Sequence, residues 1–286
     1  MQSDAARSNP TISTRFKIST LSIGFVIAIL FAAIYLIFPV GKDWETILRP
    51  AAFAIVKGQS PYIDGFYNPP WSLLPLLPLL PLPPKIGSVI LSVINLLTFG
   101  FVAFRLGAKP LALALIVFSP PVLYGVLDPN FDWLVALGLI LPPQIGLFFI
   151  SVKPHLGVIL ALYWLVLSWK EGGFRRVLKV FAPVTLAFLF SLILYGLWPL
   201  RSSELSTARW NASFWPASIP AGIVLAVAAL RNLNKRLAIL ASPFLSPYVG
   251  AYSLSIPVLG LLPSQIETIA AVLGLWVFQF LWSGPL

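Results

Sequence analysis

Few side chains in this chain can carry chemistry, and they cluster. Within GKDWETILRPAAFAIVKGQSPYIDGFYNPPW, from Gly41 to Trp71, stand Lys42, Asp43, Glu45, Arg49, Lys57 and Asp64. Asp43 sits just past the end of a long apolar run. A carboxylate at such a rim can accept a proton from a hydroxyl once partial burial raises its affinity for that proton. It can equally cap the helix that follows, by accepting an early backbone N–H. Further along, Lys153 and His155 flank Pro154 inside the apolar stretch FFISVKPHLGVIL. An ionisable group within such a segment is costly to place and marks a functional position, although a lysine can also snorkel to the headgroups. Asp128 and Asp132, around Pro129 and Asn130, could bind hydroxyls or simply solvate a turn.

The positioning elements follow from composition. The 286 residues are 58% hydrophobic and 10% charged, with mean hydropathy +0.92, against roughly 25% charged in soluble domains. This is the composition of an all-α polytopic membrane protein. Cysteine is absent and His155 is the single histidine, which excludes disulfides, thiolate metal sites and multi-histidine sites; no metal ligand set is assigned. The net charge of +10 comes without a continuous basic run, so anionic lipid, not nucleic acid, is the expected partner of the cations.

Residues 1–17 form an expected cytoplasmic tail, and 18–286 a single transmembrane domain with an outer loop at 41–70. Apolar runs at 18–40, 86–104, 110–127, 154–169, 177–199, 216–230 and 265–283 are long enough to span or nearly so. Prolines interrupt three others, at 71–84, 133–152 and 237–262. The total is about 8–10 transmembrane or re-entrant helices, with 71–84 read as interfacial. Recurrence of Trp44, Ile47, Leu48, Ala51 and Ile55 predicts a surface helix in the first outer loop. With the N-terminus inside, the tail, 105–109, 170–179 and 231–236 hold most lysines and arginines, as the positive-inside rule requires. Asp43, Glu45, Asp64, Asp128, Asp132 and Glu204 then fall outside. The proline pairs at 69–70, 83–84, 120–121 and 142–143 are expected to end or kink helices. Asn211-Ala212-Ser213 fits a glycosylation acceptor pattern.

The order Asp43, surface helix with Arg49, Gly58-x-x-Pro61-Tyr62 turn and Asn68-Pro69-Pro70 resembles the first outer loop of GT-C-type membrane glycosyltransferases, in the mannosyltransferase-like branch that uses polyprenyl-phosphate sugars. SVKPHLG at 151–157 and SPFLSPY at 242–248 resemble the family's Lys-Pro step and Ser-Pro-containing outer hairpin. GVLDPNFD at 125–132 lies where the family has a Gly-Gln-x-Asn step, without the Gln. The resemblance implies a GT-C-like architecture in a plasma membrane, a lipid-linked sugar donor, and an extracytoplasmic glycan, lipid or protein as acceptor. It implies Asp43 as catalytic base. Arg49, Lys153 and His155 are the candidates for the donor phosphate; Asp128, Asp132, Tyr62, Asn68 and Trp71 are those for acceptor or sugar. Two other readings stay open: a transporter or flippase of a lipid-linked or small polar substrate, and a non-catalytic relative of the same architecture.

Overall fold

The structure is a computed structural model that describes residues 20–208 and 210–283; the expected tail at 1–17 lies outside them. Among the described residues every element is helical, apart from one isolated antiparallel bridge between Asn211 and Gly250. In chain order the elements are α1 (Thr20–Ile37), a π-helix (Trp44–Leu48) running into α2 (Arg49–Val56), a 3-10 helix (Pro70–Leu79), α3 (Pro84–Arg105), α4 (Pro110–Val117) and α5 (Pro120–Leu127). After these come α6 (Asp132–Gly138), α7 (Pro143–Ile150), α8 (Pro154–Tyr195), a 3-10 helix (Trp198–Thr207), α9 (Ile219–Arg231), α10 (Lys235–Phe244), a 3-10 turn (Ala251–Leu254), α11 (Ser255–Leu259) and α12 (Gln265–Ser283).

Proline sets the boundaries differently from expectation. Pro84, Pro110, Pro120, Pro143 and Pro154 each stand in the first turn of a helix. There the missing N–H would have had no partner, and the fixed φ already suits the helix. Each pair therefore opens the next element as much as it closes the last. In the 3-10 helix at 70–79, Pro75 and Pro78 lie one turn apart, and ten residues cover only about 20 Å. That segment stays at one end of the molecule. Arg49 donates to the carbonyls of Leu80 and Leu82 (3.2 and 3.4 Å) beyond its far end, and Trp71 Nε1 donates to Phe148 near its start (3.1 Å).

Two helices, α3 and α8, are long and apolar enough to cross a bilayer; α4 and α5, bent by 46° at their break, make a third span if taken together. The expected 8–10 transmembrane or re-entrant helices are thus met only in part: prolines cut the runs at 71–84, 133–152 and 237–262 into shorter pieces, and α1 and α12 reach the limits of the described residues. A straight helix of 42 residues would be about 63 Å long, twice the hydrocarbon thickness. At Gly172–Gly173 α8 instead breaks into two arms at a kink, with Gly173 at φ +60°, where a Cβ would be strained. The second arm exposes Leu186, Phe190 and Ile193, the kind of surface that lipid covers.

The surface helix carries its expected face inward. Trp44, Leu48 and Ala51 are buried, and Glu45 is exposed. Trp44 lies so close to Gly87 on α3 that a Cβ there would come 2.6 Å from the indole, and its Nε1 donates to Pro84 (2.8 Å). Below this contact, Ser88, Ser92 and Asn95 form a buried stripe on α3. Ser88 Oγ accepts the Gly41 N–H (2.9 Å), Ser92 Oγ donates to Val126 (2.6 Å), and Asn95 Nδ2 donates to Val122 (3.5 Å). The broken α5 thereby finds partners for carbonyls that lipid could not satisfy. Loops one and two meet where a Cβ on Gly41 would run into the Pro129 ring.

Candidate functional site

Five segments converge on a cavity of about 330 Å³ lined by Asp43, Asn68, Asn130, Lys153, His155, Trp210 and three tyrosines. Asp43 begins the π-helix, in helical backbone geometry, yet its side chain makes no capping hydrogen bond. The capping role open to it in sequence is unfilled. Its carboxylate Oδ2 instead accepts a hydrogen bond from Asn130 Nδ2, and its N–H donates to Asp128 Oδ1 (2.7 Å). Asn130 Oδ1 in turn accepts the Phe131 N–H (2.7 Å), which fixes the amide's orientation.

Burial pushes the Asp43 carboxyl above its ordinary range. The Lys153 charge and the Asn130 bond pull it back, and Asp132 pushes it up again. Asp128 is pushed from 3.8 to about 6, first by burial and then by the charge of Asp43, against the opposing hydrogen bond from the Asp43 N–H. Both groups hold their protons more tightly folded than unfolded. Their contribution to stability is therefore greatest at low pH and falls as pH rises above the ordinary 3.8, in the case of Asp128 through about 6. Asp128→Asn keeps the acceptor oxygen and removes the charge. Because Asp128 is half-buried, the variant is expected to gain only about 1 kcal/mol at pH 7, with a flatter decline across that window. Thermal melts of wild type and variant at pH 4 and pH 7 read this out; parallel pH slopes would contradict it.

Lys153 does not stand free. Its Nζ lies 2.7 Å from Asp132 Oδ2 and 3.3 Å from Ser253 Oγ, whose hydroxyl donates to Asp132 Oδ1 (2.8 Å). The Tyr252 ring lies 4.3 Å from Nζ. Lysine and aspartate are 6% and 4% exposed, so this is a buried ion pair in which both carboxylate oxygens are occupied, while Lys153 makes two hydrogen bonds at the cavity wall. The backbone explains it: α6 and α7 form a hairpin in which Gly138 and Gly146 allow close approach, returning the chain from Asp132 to Lys153 at the same end. His155 follows in the first turn of α8, its ring edge-on to Tyr248 (5.5 Å) and its Nε2 enclosed without a hydrogen-bond partner.

The other candidates are engaged elsewhere. Arg49 does not line the cavity; it anchors the carbonyls after the 3-10 helix and lies over Phe53 (4.8 Å). Tyr62 is buried, stacked on Trp198 (5.4 Å) and edge-on to Tyr195, with its carbonyl accepting from Arg201. It clamps the first loop to the end of α8. Trp71 borders a separate apolar recess with Phe148. Asp128 holds the Asp43 backbone, and Asp132 is sealed in its ion pair. Asn68 lines the cavity and ties it to Val152 through Nδ2 (2.9 Å). The assembled set is therefore Asp43, Asn68, Lys153 and His155. Asn130, Trp210, Tyr248 and Tyr252 join it without having been singled out in sequence. Asn130 and Tyr248 do fall within the quoted GVLDPNFD and SPFLSPY stretches. The Asn211 amide, in the glycosylation pattern, is occupied by bonds to Pro247, Val249 and Ser213. These bonds hold Trp210, 57% exposed, at the cavity mouth. Arg209 lies outside the described residues, and no group of three or more His, Asp or Glu side chains that could hold a metal occurs among those described.

Comparison with family models, with curated proteins and with solved structures gives no match for this chain.

Proposed function

We propose that the chain is a multi-pass plasma-membrane glycosyltransferase of the GT-C type, its N-terminus cytoplasmic, moving a sugar from a polyprenyl phosphate to the hydroxyl of an extracytoplasmic acceptor. The observation that carries this reading is Asp43: a carboxylate released from capping, raised in proton affinity, and placed in one cavity with Lys153 and His155. The acceptor hydroxyl gives its proton to Asp43 as its oxygen bonds to the anomeric carbon. The bond from that carbon to the phosphate oxygen breaks on the opposite face, and polyprenyl phosphate leaves. Asp132 and Ser253 occupy two of the three Lys153 protons, which leaves one for a phosphate oxygen, and the His155 ring forms part of the wall beside it. A phosphate and a protein cation gain most in such a water-poor setting. Asn68, Asn130, Trp210 and Tyr248 form the polar and aromatic wall suited to a sugar's hydroxyls and flat faces.

A transporter would need a path onward from the cavity. The Lys153–Asp132–Ser253 cluster at the cavity is buried and tied by direct bonds, which supports chemistry at a fixed site over passage through it. Purified protein in proteoliposomes, supplied with radiolabelled prenyl-phosphate hexoses and bacterial envelope lipids and glycans, is expected to form a new glycosidic product and free prenyl phosphate. Label that crosses the bilayer still attached to its prenyl phosphate, with no product, would establish the transporter and refute the transferase.

A further inference from the structure

The end of the molecule remote from the cavity carries its own site. Lys153 and His155 begin α8, whose first arm is about 27 Å long, and Lys170 and Glu171 lie at its far end. The turn joining α9 to α10 lies toward that end, because Lys235 Nζ lies 5.9 Å from the ring of Trp164, well down the arm. Two cations near this surface have carboxylate partners: Arg176 faces Glu171 (3.5 Å) and Arg236 faces Glu267 (3.4 Å). Arg231 and Lys235 have none within salt-bridge distance among the described residues, nor do Lys170, Arg175 and Lys179, but of these five only Lys235 lies over a buried indole. Arg231 is exposed, and Lys235 is half-buried between α8 and α10 above a buried indole. The first N–H groups of α10 are already taken, since Asn234 Oδ1 accepts from Arg236 and Leu237. An anion there would be held by side chains.

We infer that Arg231 and Lys235 bind the headgroup phosphate of an anionic phospholipid in the leaflet opposite the cavity, with the acyl chains lying along the apolar helices. Two cations flanking a tight inter-helix turn on the side rich in lysine and arginine suit such a headgroup, and a diffuse surface charge would not require a cation half-buried over an aromatic floor. The site has a structural reach. Helices α8 and α10 are packed together and tied where Ser242 Oγ accepts the Ile159 N–H (3.0 Å). The start of α8 carries Lys153 and His155, and α10 leads directly to Tyr248. A headgroup held by Arg231 and Lys235 joins the end of α9 to the start of α10 and keeps Lys235 against Trp164 of α8, which steadies the α8–α10 packing behind the two cavity walls. This inference does not depend on sugar transfer.

The test is thermal unfolding of the full chain in nanodiscs of phosphatidylcholine alone and with about 30% phosphatidylglycerol. By mass action a headgroup held at about ten times its dissociation constant raises the melting temperature by about 3 °C. Wild type, Lys235→Arg and Lys109→Ala are expected to show the rise, and Arg231→Gln/Lys235→Ala to lose it. Inorganic phosphate added to phosphatidylcholine discs is expected to change nothing. Should the double variant fail to fold, Arg231→Gln alone is expected to lose about half the rise. No rise in wild type, an undiminished rise in the charge-removing variants, or an equal rise with free phosphate would each overturn the inference.

Discussion

Lys153→Met is expected to lower the melting temperature of the purified protein by on the order of 10 °C, while Lys153→Met/Asp132→Asn recovers at least half of that loss. The cause is asymmetric desolvation. Lys153 and Asp132 approach to 2.7 Å with side chains 7% and 5% exposed. Their mutual attraction roughly offsets the cost of taking both from water, but an unpaired aspartate at that position keeps the cost and loses the attraction. Breaking one side of such a pair costs about 3–5 kcal/mol. Replacing both charges removes the cost as well, and the amide that takes the place of the Asp132 carboxylate would still accept the Ser253 hydroxyl bond now made by Oδ1. Scanning fluorimetry on the two single variants and the double closes the cycle. If the single and double variants melt together, the pair is not coupled in solution.

The second large effect falls on rate, not on folding. Asp43→Asn is expected to lower sugar transfer by about 10²–10⁴-fold, the range for losing a general base, with little change in melting temperature. The amide oxygen of Asn can still accept the Asn130 hydrogen bond, and the backbone N–H to Asp128 is unaffected. Removing a carboxylate whose burial already disfavours its charged form carries no folding penalty. In wild type, transfer should rise with pH through the elevated Asp43 titration, because only the deprotonated carboxylate can take the acceptor's proton. Asp43→Asn should flatten that limb. Full activity in the variant would remove Asp43 from the reaction.

Asp43 was legible because a lone carboxylate after an apolar run has few reasons to be there, and one of them, capping, could be checked by geometry. Helix boundaries at Pro84, Pro110 and Pro120 were legible for a local reason, the missing N–H, although its effect at helix starts is stronger than the sequence suggested. The partner of Lys153 was not. Asp132 is 21 residues away, and only the α6–α7 hairpin, closed over Gly138 and Gly146, brings them together. Arg49 carries the same lesson: its guanidinium matches phosphate chemistry, but the prolines at 75, 78, 81 and 83 leave backbone carbonyls nearby, and two of these take it. Trp210, Tyr248 and Tyr252 reach the cavity from a strap and hairpin joined by Asn211, a contact that no local pattern announces.

Labelling of a single cysteine tests most directly whether Asp43 stands in a ligand-binding cavity reached from the extracytoplasmic side, since the native chain has no cysteine. Asp43→Cys in sealed vesicles should react with a membrane-impermeant maleimide from the extracytoplasmic side, and polyprenyl phosphate should slow that reaction several-fold. A cysteine that stays unlabelled from that side, or labels equally fast with and without polyprenyl phosphate, would contradict the account.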